Sequence, residues 1–291
     1  MRARSFAARN EIAHVALDYD ALISRDDIDL VYVSLPPSEH ASWCVAALEA
    51  GKAVLCEKPL AMSSDEVRRM FAAAAAAGRP LWEAFHYRFH PSMRQVRDLC
   101  RQHAFGELLR MDVRFDALIV RTATEIRWQG KLGGGALMDL GCYAVHAARA
   151  LLGDPLIVQA AKVEFVDGVD VRTSAVLRSS DGVPVALSCS MIDARFDASF
   201  TAHGTRGHVS FERFVGPQRD GRVVLTVDGQ TRQLPVDTRS TYDWQLDHVV
   251  QCLTAGAATT DDTAADSLEN MRLIESIMQL AADTSVPLPT A

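Results

Sequence analysis

Apolar, β-branched runs alternate with stretches of helical spacing over the first 90 residues, and this alternation constrains the fold more than any other feature. Each run has the length and composition of a buried parallel strand. These runs are residues 30–35 and 53–56, and residues 80–85, which contain no β-branched residue, predict a third strand. The helical stretches between them are residues 39–50, which stop at a glycine, and residues 63–78, which start at a serine cap and also stop at a glycine. This order predicts a parallel sheet covered by helices on both faces.

The start of this α/β unit departs from the usual nucleotide-binding pattern. A dinucleotide-binding domain normally opens with a strand and a G-x-G-x-x-G turn that holds the pyrophosphate at a helix N-terminus. Here the first glycine is Gly51, and residues 1–9 resemble the second half of an amphipathic helix. Either the start is misassigned or the chain is a truncation. We expect upstream in-frame sequence to encode roughly 30 residues with such a turn, and weak dinucleotide binding without it. The alternative is that the unit never bound a nucleotide.

From about residue 91 strand-like runs follow one another at short spacing, with turn residues such as Asp228-Gly229 between some of them. This pattern favours a mostly antiparallel sheet. The predicted strands are residues 107–115, 156–165, 173–177, 183–191, 199–211 and 223–227, and the predicted helices are residues 92–103, 136–152, 242–253 and 266–282. We therefore predict two domains. Residues 1–90 form a Rossmann-type α/β domain that lacks its first strand and glycine-rich turn, and residues 91–291 form an α+β domain with an open mixed sheet.

Charge and composition disfavour several classes of partner. Thirty basic and 37 acidic residues give a net charge of −7 without a dense basic run, which argues against nucleic-acid binding. The run of alanines at residues 72–77 is far shorter than the ~20 apolar residues of a membrane span. The N-terminus lacks the apolar core of a signal peptide. The six cysteines lie 12 to 63 residues apart without a C-x-x-C motif. We expect no disulfide framework and no metal site, and a cytoplasmic location.

The motif Glu57-Lys58-Pro59 follows the second predicted strand directly. Ligands of open α/β sheets bind at the carboxyl ends of the strands, and proline forces the chain to turn there. Lysine is scarce in this protein, with 4 lysines against 26 arginines. Because arginine cannot give up its proton, Lys58 is a candidate titratable group in the crevice. The alternative is a solvated surface lysine.

The stretch from Gly133 to His146 enters a predicted helix through three glycines. At ~100° per residue, Asp139, Tyr143 and His146 fall within a stripe about 60° wide. Three side chains that can exchange protons in one stripe could line a pocket. The alternative is a polar helix face in solvent. A further stretch, Trp82 to Pro91, is dense in aromatic residues and suits either a hinge between domains or the wall of a ligand site.

Taken in order, these stretches resemble the glucose–fructose oxidoreductase / inositol dehydrogenase (Gfo/Idh/MocA) family. The matching segments are Leu35-Pro-Pro-Ser-Glu-His40, Glu57-Lys-Pro59, Glu83-Ala-Phe-His-Tyr-Arg-Phe-His-Pro91 and Gly133-Gly-Gly-Ala-Leu-Met-Asp-Leu-Gly-Cys-Tyr143. No single motif is specific, but their order and spacing together are. The sequences of the last two segments are most similar to the branch of the family that contains dihydrodiol and xylose dehydrogenases. The resemblance covers the chain apart from the missing N-terminal strand and turn.

This resemblance implies a reaction and roles for individual residues. The reaction is hydride transfer between NAD or NADP and a secondary alcohol of a sugar, polyol or cyclic diol. Lys58 would be the catalytic lysine, Tyr143 the general acid and base, and Asp139 the residue that orients the substrate. Lys58 would also contact the cofactor, and the other residues on the nicotinamide-ribose side would be Leu35, Pro36, His40 and Glu57. His146 matches no role that the resemblance supplies, and we predict it, together with Arg88 and Trp128, only as an additional residue of the substrate pocket.

The same resemblance implies a homodimer or homotetramer that pairs through the C-terminal sheet. The choice between NAD and NADP stays open, because the segment that reads the 2′-position would precede Met1. One rival hypothesis is a catalytically impaired ligand-binding or regulatory relative, since the glycine turn is absent. Another is a purely structural protein.

The acid–base chemistry is reasonable on its own terms. A free tyrosine has a pKa of ~10 and is too weak a base at neutral pH. A nearby lysine cation favours the phenolate and lowers that pKa. We therefore expect Lys58 and Tyr143 to act as a pair.

Overall fold

The structure of the protein, a computed structural model, describes residues 2–153, 155–255 and 264–284. The α-helices are α1 (Arg2–Arg9), α2 (Tyr19–Ile23), α3 (Pro37–Glu49), α4 (Ser64–Ala77), α5 (Pro91–Arg101), α6 (Cys142–Leu152), α7 (Thr241–Ala255) and α8 (Ala264–Thr284). The strands are β1 (Leu30–Val33), β2 (Ala53–Cys56), β3 (Leu81–Glu83), β4 (Leu108–Asp116), β5 (Leu156–Val166), β6 (Val169–Ser179), β7 (Pro184–Ser190), β8 (Asp197–Gly204), β9 (Gly207–Glu212), β10 (Arg222–Val227) and β11 (Gln230–Leu234). Over these ranges no helix is both long enough and apolar enough to cross a membrane.

The three strands β1, β2 and β3 form a parallel sheet in that order, as the alternating pattern predicts. Every residue of β2 is buried. Val54 and Cys56 pack into the main core with residues of α3 and α4. Ala53 and Leu55 point to the other face, where they pack with Val249 of α7. Both faces are therefore covered, but the second cover comes from near the end of the chain.

The boundaries of α4 follow from its capping residues. The Ser63 hydroxyl accepts a hydrogen bond from the backbone N–H of Glu66 at 3.2 Å, which satisfies one of the donors that a helix N-terminus leaves unpaired. Gly78 ends the helix in the left-handed conformation, at a φ of 60°. This conformation costs glycine little.

The second sheet is open and has eight strands, in the order β11-β10-β9-β8-β4-β7-β6-β5. All neighbouring strands are antiparallel except β4 and β7, which are parallel. The predicted open, mostly antiparallel mixed sheet is thus confirmed. Along β6 buried and exposed residues alternate from Val171 to Ser179. The buried face packs against α6 and α8, and the opposite face of the sheet forms a shallow groove at the surface.

Two details of the second sheet differ from the predictions. The predicted strand at 199–211 is two strands, β8 and β9, which turn at Thr205-Arg206. Gly204 lies so close to the chain that an added Cβ would come 2.5 Å from the carbonyl oxygen of Phe105, so a glycine is needed where the strands turn. The last strand, β11, is absent from the predictions. Four of its five residues are exposed at the sheet edge, so its polar Gln-Thr-Arg-Gln sequence lacks the apolar pattern that predicts a strand.

The two sheets share a continuous core across residue 90. One buried apolar cluster contains residues of the first sheet, α4, the second sheet and α8. The backbone N–H of Ser64 donates a hydrogen bond to a carboxylate oxygen of Glu275 on α8 at 2.8 Å. The division into residues 1–90 and 91–291 therefore stays a prediction. Residues 1, 154, 256–263 and 285–291 of those ranges lie outside the described residues.

Candidate active site

The carboxyl ends of β1 and β2 open into a cavity of about 330 Å³. Leu35 follows β1, and Glu57 and Lys58 follow β2, so all three line the cavity from the side of the first sheet. Gly133 and Asp139 close it from the side of the second sheet. This is the edge at which open α/β sheets bind their ligands.

Lys58 is held in place rather than solvated. Its ammonium nitrogen donates hydrogen bonds to the backbone carbonyl of Asp139 at 2.8 Å and to the Asp139 carboxylate at 2.9 Å. The two side chains are only 13% and 18% exposed. The same nitrogen lies 4.9 Å from the centroid of the Tyr143 ring. The interpretation of Lys58 as a solvated surface lysine is therefore wrong.

The glycines before Asp139 allow the chain to pass between two packed elements. Gly133 has a φ of 86°, and a Cβ there would come 2.6 Å from Pro37 at the start of α3. Gly135 has a φ of 122°, and a Cβ there would come 1.9 Å from a carboxylate oxygen of Asp170 on β6. That Asp170 carboxylate accepts a hydrogen bond from the backbone N–H of Leu137 at 2.7 Å. The glycines thus fix where the following helical segment begins.

This segment is not one uniform helix. A π-helical turn over Leu137–Gly141 leads into α6, where a single α-helix was predicted over residues 136–152. π-Helical turns are rare and occur often at functional sites. Asp139 and Tyr143 both lie against Lys58, whereas His146 contacts different neighbours. Tyr143 and His146 are only 5% and 2% exposed, so the interpretation of this stripe as a solvent face is wrong.

A second cavity, of about 550 Å³, lies on the other side of Lys58. Lys58, Asp139 and Tyr143 face it together with the aromatic rings of Phe115 and Phe196. The residues that line both cavities are Glu57, Lys58, Arg127 and Asp139. The junction between the two spaces therefore contains two of the three residues that the sequence assigns to catalysis, and the third lines the larger space beside it.

The protonation states follow from burial and the local charges. Burial raises the pKa of Tyr143 well above its ordinary value and outweighs the Lys58 cation, which lowers it. Burial alone would lower the pKa of Lys58, but Asp139 and Tyr143 hold that pKa well above its usual range. The direction of the Lys58 effect is therefore as predicted, but burial outweighs it. At neutral pH Tyr143 keeps its proton and Lys58 its charge.

His86 belongs to this site and was not singled out by the sequence analysis. Its Nε2 atom lies 3.3 Å from the Tyr143 hydroxyl, and its Nδ1 atom lies 2.8 Å from the hydroxyl of Thr241, the first residue of α7. Its ring stacks on Tyr242 at 4.0 Å between centroids. The only signal in the sequence is the aromatic stretch that contains His86, which indicated either a hinge or a ligand wall.

The residues predicted on the cofactor side separate into two groups. Leu35 and Glu57 line the smaller cavity, and the Glu57 carboxylate accepts a hydrogen bond from the half-exposed Tyr32 hydroxyl. His40 is fully buried between two loops, with its ring nitrogens 2.7 Å from the Leu35 carbonyl and 3.1 Å from the Pro59 carbonyl. It ties the ends of β1 and β2 together. Pro36 precedes α3 as its N-cap residue.

The three additional pocket residues line neither of the two cavities that meet at Lys58. The Arg88 guanidinium pairs with Asp266 of α8 at 2.8 Å. His146 lies 3.4 Å from the same carboxylate and 2.6 Å from the Tyr87 hydroxyl. Arg88 and His146 line a different cavity, of about 490 Å³. The Trp128 indole donates a hydrogen bond to the Ile119 carbonyl at 2.9 Å. These contacts stabilise the packing of the chain around the site.

Comparison with known proteins identifies the family. Residues 1–85 match an oxidoreductase family with an NAD-binding Rossmann fold, and residues 93–210 match the GFO/IDH/MocA C-terminal domain. The D-xylose 1-dehydrogenase (NADP+) 2 of Haloferax volcanii is 33% identical over 266 residues, which cover 90% of this chain and 81% of that protein. This chain belongs to the Gfo/Idh/MocA family.

Further similarities agree with that assignment and with the predicted branch of the Gfo/Idh/MocA family. The trans-1,2-dihydrobenzene-1,2-diol dehydrogenase of Xenopus laevis is 30% identical, with coverage of 97% of this chain and 86% of that protein. The crystal structure of KijD10, a 3-ketoreductase from Actinomadura kijaniata in complex with NADP and TDP-benzene, has a TM-score of 0.88 and 29% identity. That likeness covers 96% of this chain and 86% of KijD10. The comparisons give no support to a catalytically impaired relative.

Family membership confirms the predicted nicotinamide cofactor, NAD or NADP. The residues of the smaller cavity fit the nicotinamide-ribose end of such a molecule. Glu57 offers carboxylate oxygens to ribose hydroxyls, and Leu35 and Pro37 provide apolar surface for a ring. Because Lys58 faces this cavity and the larger one, a cofactor in the first space and a substrate in the second would meet at its ammonium group.

Proposed function

We propose that this protein catalyses the reversible oxidation of a secondary alcohol in a sugar, polyol or cyclic diol, with NAD or NADP as the hydride carrier. The observation that carries the proposal is the placement of Lys58 and Asp139 where the two cavities meet, with Tyr143 beside them in the larger cavity. The relatives support it, since they are a D-xylose dehydrogenase, a dihydrodiol dehydrogenase and a 3-ketoreductase.

In the direction of reduction, Tyr143 donates its proton to the carbonyl oxygen of the substrate. The bound nicotinamide supplies the hydride chemistry at the carbonyl carbon. Lys58, positively charged beside the Tyr143 ring, stabilises the phenolate that forms when the proton leaves. Oxidation reverses these steps, so that the phenolate removes the hydroxyl proton of the alcohol. Tyr143 therefore holds or accepts the proton that the substrate exchanges.

Asp139 keeps Lys58 in the orientation that this chemistry needs. Its carboxylate and its backbone carbonyl accept two of the three protons on the Lys58 ammonium. The third N–H then remains for a substrate oxygen. The Arg127 guanidinium lies 3.8 Å from the other oxygen of the Asp139 carboxylate and limits its rotation. We propose that Asp139 positions the substrate by way of this fixed ammonium.

The charge of the larger cavity narrows the class of substrate. Its lining carries four cations (Lys58, Arg127, Arg213 and Arg219) against two carboxylates (Glu57 and Asp139), although the whole chain has a net charge of −7. Lys58 and Arg127 face Asp139, but Arg213 and Arg219 form no ion pair with any of the described carboxylates. We propose that they favour substrates with a negatively charged substituent.

The uncovered face of the eight-stranded sheet is the surface we propose for self-association. It carries a groove of about 650 Å³, and Val176 on this face is 43% exposed. We propose a homodimer or homotetramer that assembles through this sheet. We also propose that residues 1–90 form the cofactor-binding domain and that residues 91–291 form the domain for substrate binding and assembly. All six cysteines are free thiols, which suits the proposed cytoplasmic location. Light scattering after size-exclusion chromatography measures the assembly directly.

Two measurements test the proposed reaction. Titration with NADH and with NADPH, followed by nicotinamide fluorescence, measures whether and which cofactor binds. A panel of pentoses, hexoses, cyclic diols and their phosphate or carboxylate derivatives, followed at 340 nm, then measures turnover. Tyr143→Phe is the matched control, because it removes only a hydroxyl. Cofactor binding without turnover on any alcohol or carbonyl of the panel, or turnover that survives in Tyr143→Phe, would contradict the proposal.

A further inference from the structure

The Tyr143 hydroxyl has a second contact besides the field of Lys58. It lies inside the protein, and among the described residues its hydrogen-bond partner is Nε2 of His86, at 3.3 Å. Lys58 does not take this role, since its nitrogen lies over the face of the Tyr143 ring and donates to Asp139. Within the described residues, the imidazole of His86 is therefore the group that can form a hydrogen bond with the phenolate oxygen in the proposed reaction.

That imidazole is a neutral ring. Burial, and then the nearby Lys58 cation, lower the pKa of His86 to about 3. A neutral imidazole carries one N–H and one lone pair, and each can be on either nitrogen. Nδ1 faces the Thr241 hydroxyl at 2.8 Å, and a hydroxyl can donate or accept. When the Thr241 hydroxyl donates to Nδ1, the N–H is on Nε2 and points at the Tyr143 oxygen.

We propose that His86, oriented by Thr241, is a positioning residue that sets the proton affinity of Tyr143. With its N–H on Nε2 it donates a hydrogen bond to the phenolate oxygen, which favours the charged form of Tyr143 and lowers the pKa of that hydroxyl. When Tyr143 is protonated, the ring can instead accept the hydroxyl proton at Nε2 and donate from Nδ1 to Thr241. His86 and Thr241 can therefore form the hydrogen bond with Tyr143 both as the phenol and as the phenolate, while His86 stays neutral.

The other groups around the pair leave this role to His86. The titratable or charged groups that face Tyr143 or His86 are Lys58, Glu57, Tyr87, Cys142 and Tyr242. Glu57, Cys142 and Tyr242 raise the pKa of Tyr143, and only Lys58 among them lowers it. Thr241 is fully buried at the start of α7, and the Tyr242 ring covers one face of the imidazole. The ring of His86 is therefore fixed in plane and direction.

The inference rests on the proposed oxidoreductase function, and substitutions at one position test it. His86→Gln retains an amide donor near the place of Nε2, whereas His86→Asn retains one near the place of Nδ1 and loses the contact with Tyr143. His86→Leu removes both. We expect the pH profile of kcat for alcohol oxidation to move to higher pH by about one to two units in the Asn and Leu variants, the effect of one hydrogen bond to a charged group. We expect the Gln variant to stay close to wild type.

Substitutions at Thr241 provide a second, independent test of the role of His86. Thr241→Val removes the hydroxyl that orients the ring, and Thr241→Ser retains it. We expect the Val variant to move in the same direction as His86→Leu and the Ser variant to match wild type. Nitrogen-15 NMR of labelled histidine, with His86 assigned from the Gln variant, reports the ring without any turnover. It should remain neutral from pH 5 to pH 8.

These outcomes separate the inference from the function on which it rests. If the wild-type protein turns over no alcohol, the proposed function fails first. If wild type is active but His86→Leu and His86→Gln have the same pH profile, or the His86 signal titrates near pH 6.5, the role of His86 is overturned. A loss of activity in all His86 variants with an unchanged profile would indicate only a packing role, and it also overturns the inference.

Discussion

Lys58 approaches Tyr143 through the face of its ring, 4.9 Å from the centroid, while the hydrogen bonds of its ammonium group go to Asp139. The lysine therefore acts on the tyrosine through its electric field and not through a shared proton. Such a field is strong only where water is excluded, and both side chains are largely buried here. Because Asp139 fixes the lysine and the lysine lies over the tyrosine ring, we expect the three residues to act as one unit.

This coupling predicts that the effects of Tyr143 and Lys58 are not additive. Tyr143→Phe should reduce kcat by roughly 10²-fold or more, the usual contribution of a general acid or base, and leave cofactor affinity nearly unchanged. Lys58→Met should cause a comparable loss. The double variant should be little worse than either single one, because the two side chains act as a unit. Steady-state kinetics of the four proteins measure this. Losses that multiply in the double variant would show that the residues act independently.

The direction of the Lys58 effect can be measured separately by pH. Burial raises the pKa of Tyr143, and the Lys58 cation partly offsets that rise. Removing the cation in Lys58→Met should move the alkaline-rising limb of alcohol oxidation to still higher pH, by about 1 unit or more. Reduction uses the protonated tyrosine and should remain constant through the neutral range. An unchanged oxidation profile would mean that Lys58 affects only binding or folding.

The glycines that precede Asp139 predict a stability difference between two substitutions of the same kind. In Gly135→Ala the new Cβ would come 1.9 Å from the Asp170 carboxylate, so both strain and overpacking should reduce the free energy of unfolding by on the order of 3 kcal/mol. Gly182→Ala is the matched control, because Gly182 also has a positive φ but nothing within 4 Å. It should lose only about 1 kcal/mol. Urea unfolding of both variants compares them, and equal losses would contradict the close approach.

Arg213 and Arg219 predict a preference for charge in the substrate. Replacing both with Gln should raise KM for a phosphorylated or carboxylated substrate by about 10-fold or more, as expected from losing hydrogen bonds between charged groups. KM for the neutral parent sugar should change little, which makes it the internal control. Higher salt should weaken the binding of the charged substrate in wild type and have less effect on the double variant. Equal effects on both substrates would argue against an anion-binding role.

The sequence predicted those parts of the site that depend on local order and missed those that depend on distant contacts. Lys58 follows a strand directly, and Asp139 and Tyr143 lie four residues apart, so their neighbourhood is visible in the chain. His86 becomes part of the site only because Thr241, 155 residues later, holds its ring. His146, three residues after Tyr143 on α6, instead contacts Asp266 of α8, which lies 120 residues later in the chain. The cover of the first sheet by α7 is likewise a contact that no periodicity within the first 90 residues contains.

A buried carboxyl group beneath the site predicts how stability depends on pH. Glu83, at the end of β3, is 7% exposed and accepts a hydrogen bond from the backbone N–H of Leu60 at 2.9 Å. Burial raises the pKa of Glu83 to about 7, although its hydrogen bonds oppose this. In the unfolded chain the pKa is ~4.3, so the folded state binds this proton more tightly. The resulting stabilisation is complete below about pH 4 and is lost as the pH rises towards 7.

Glu83→Gln keeps an oxygen that can accept the Leu60 hydrogen bond and removes the charge that is costly to bury. Relative to wild type, the variant should therefore gain stability as the pH rises from about 4.5 to 7 and show a constant difference above that range. The total change in the difference should be on the order of 3 kcal/mol, as follows from 1.36 kcal/mol per pKa unit. Urea unfolding of both proteins at several pH values measures it. A Glu83→Gln difference that is independent of pH would mean that Glu83 is ionised throughout and is stabilised by its partners.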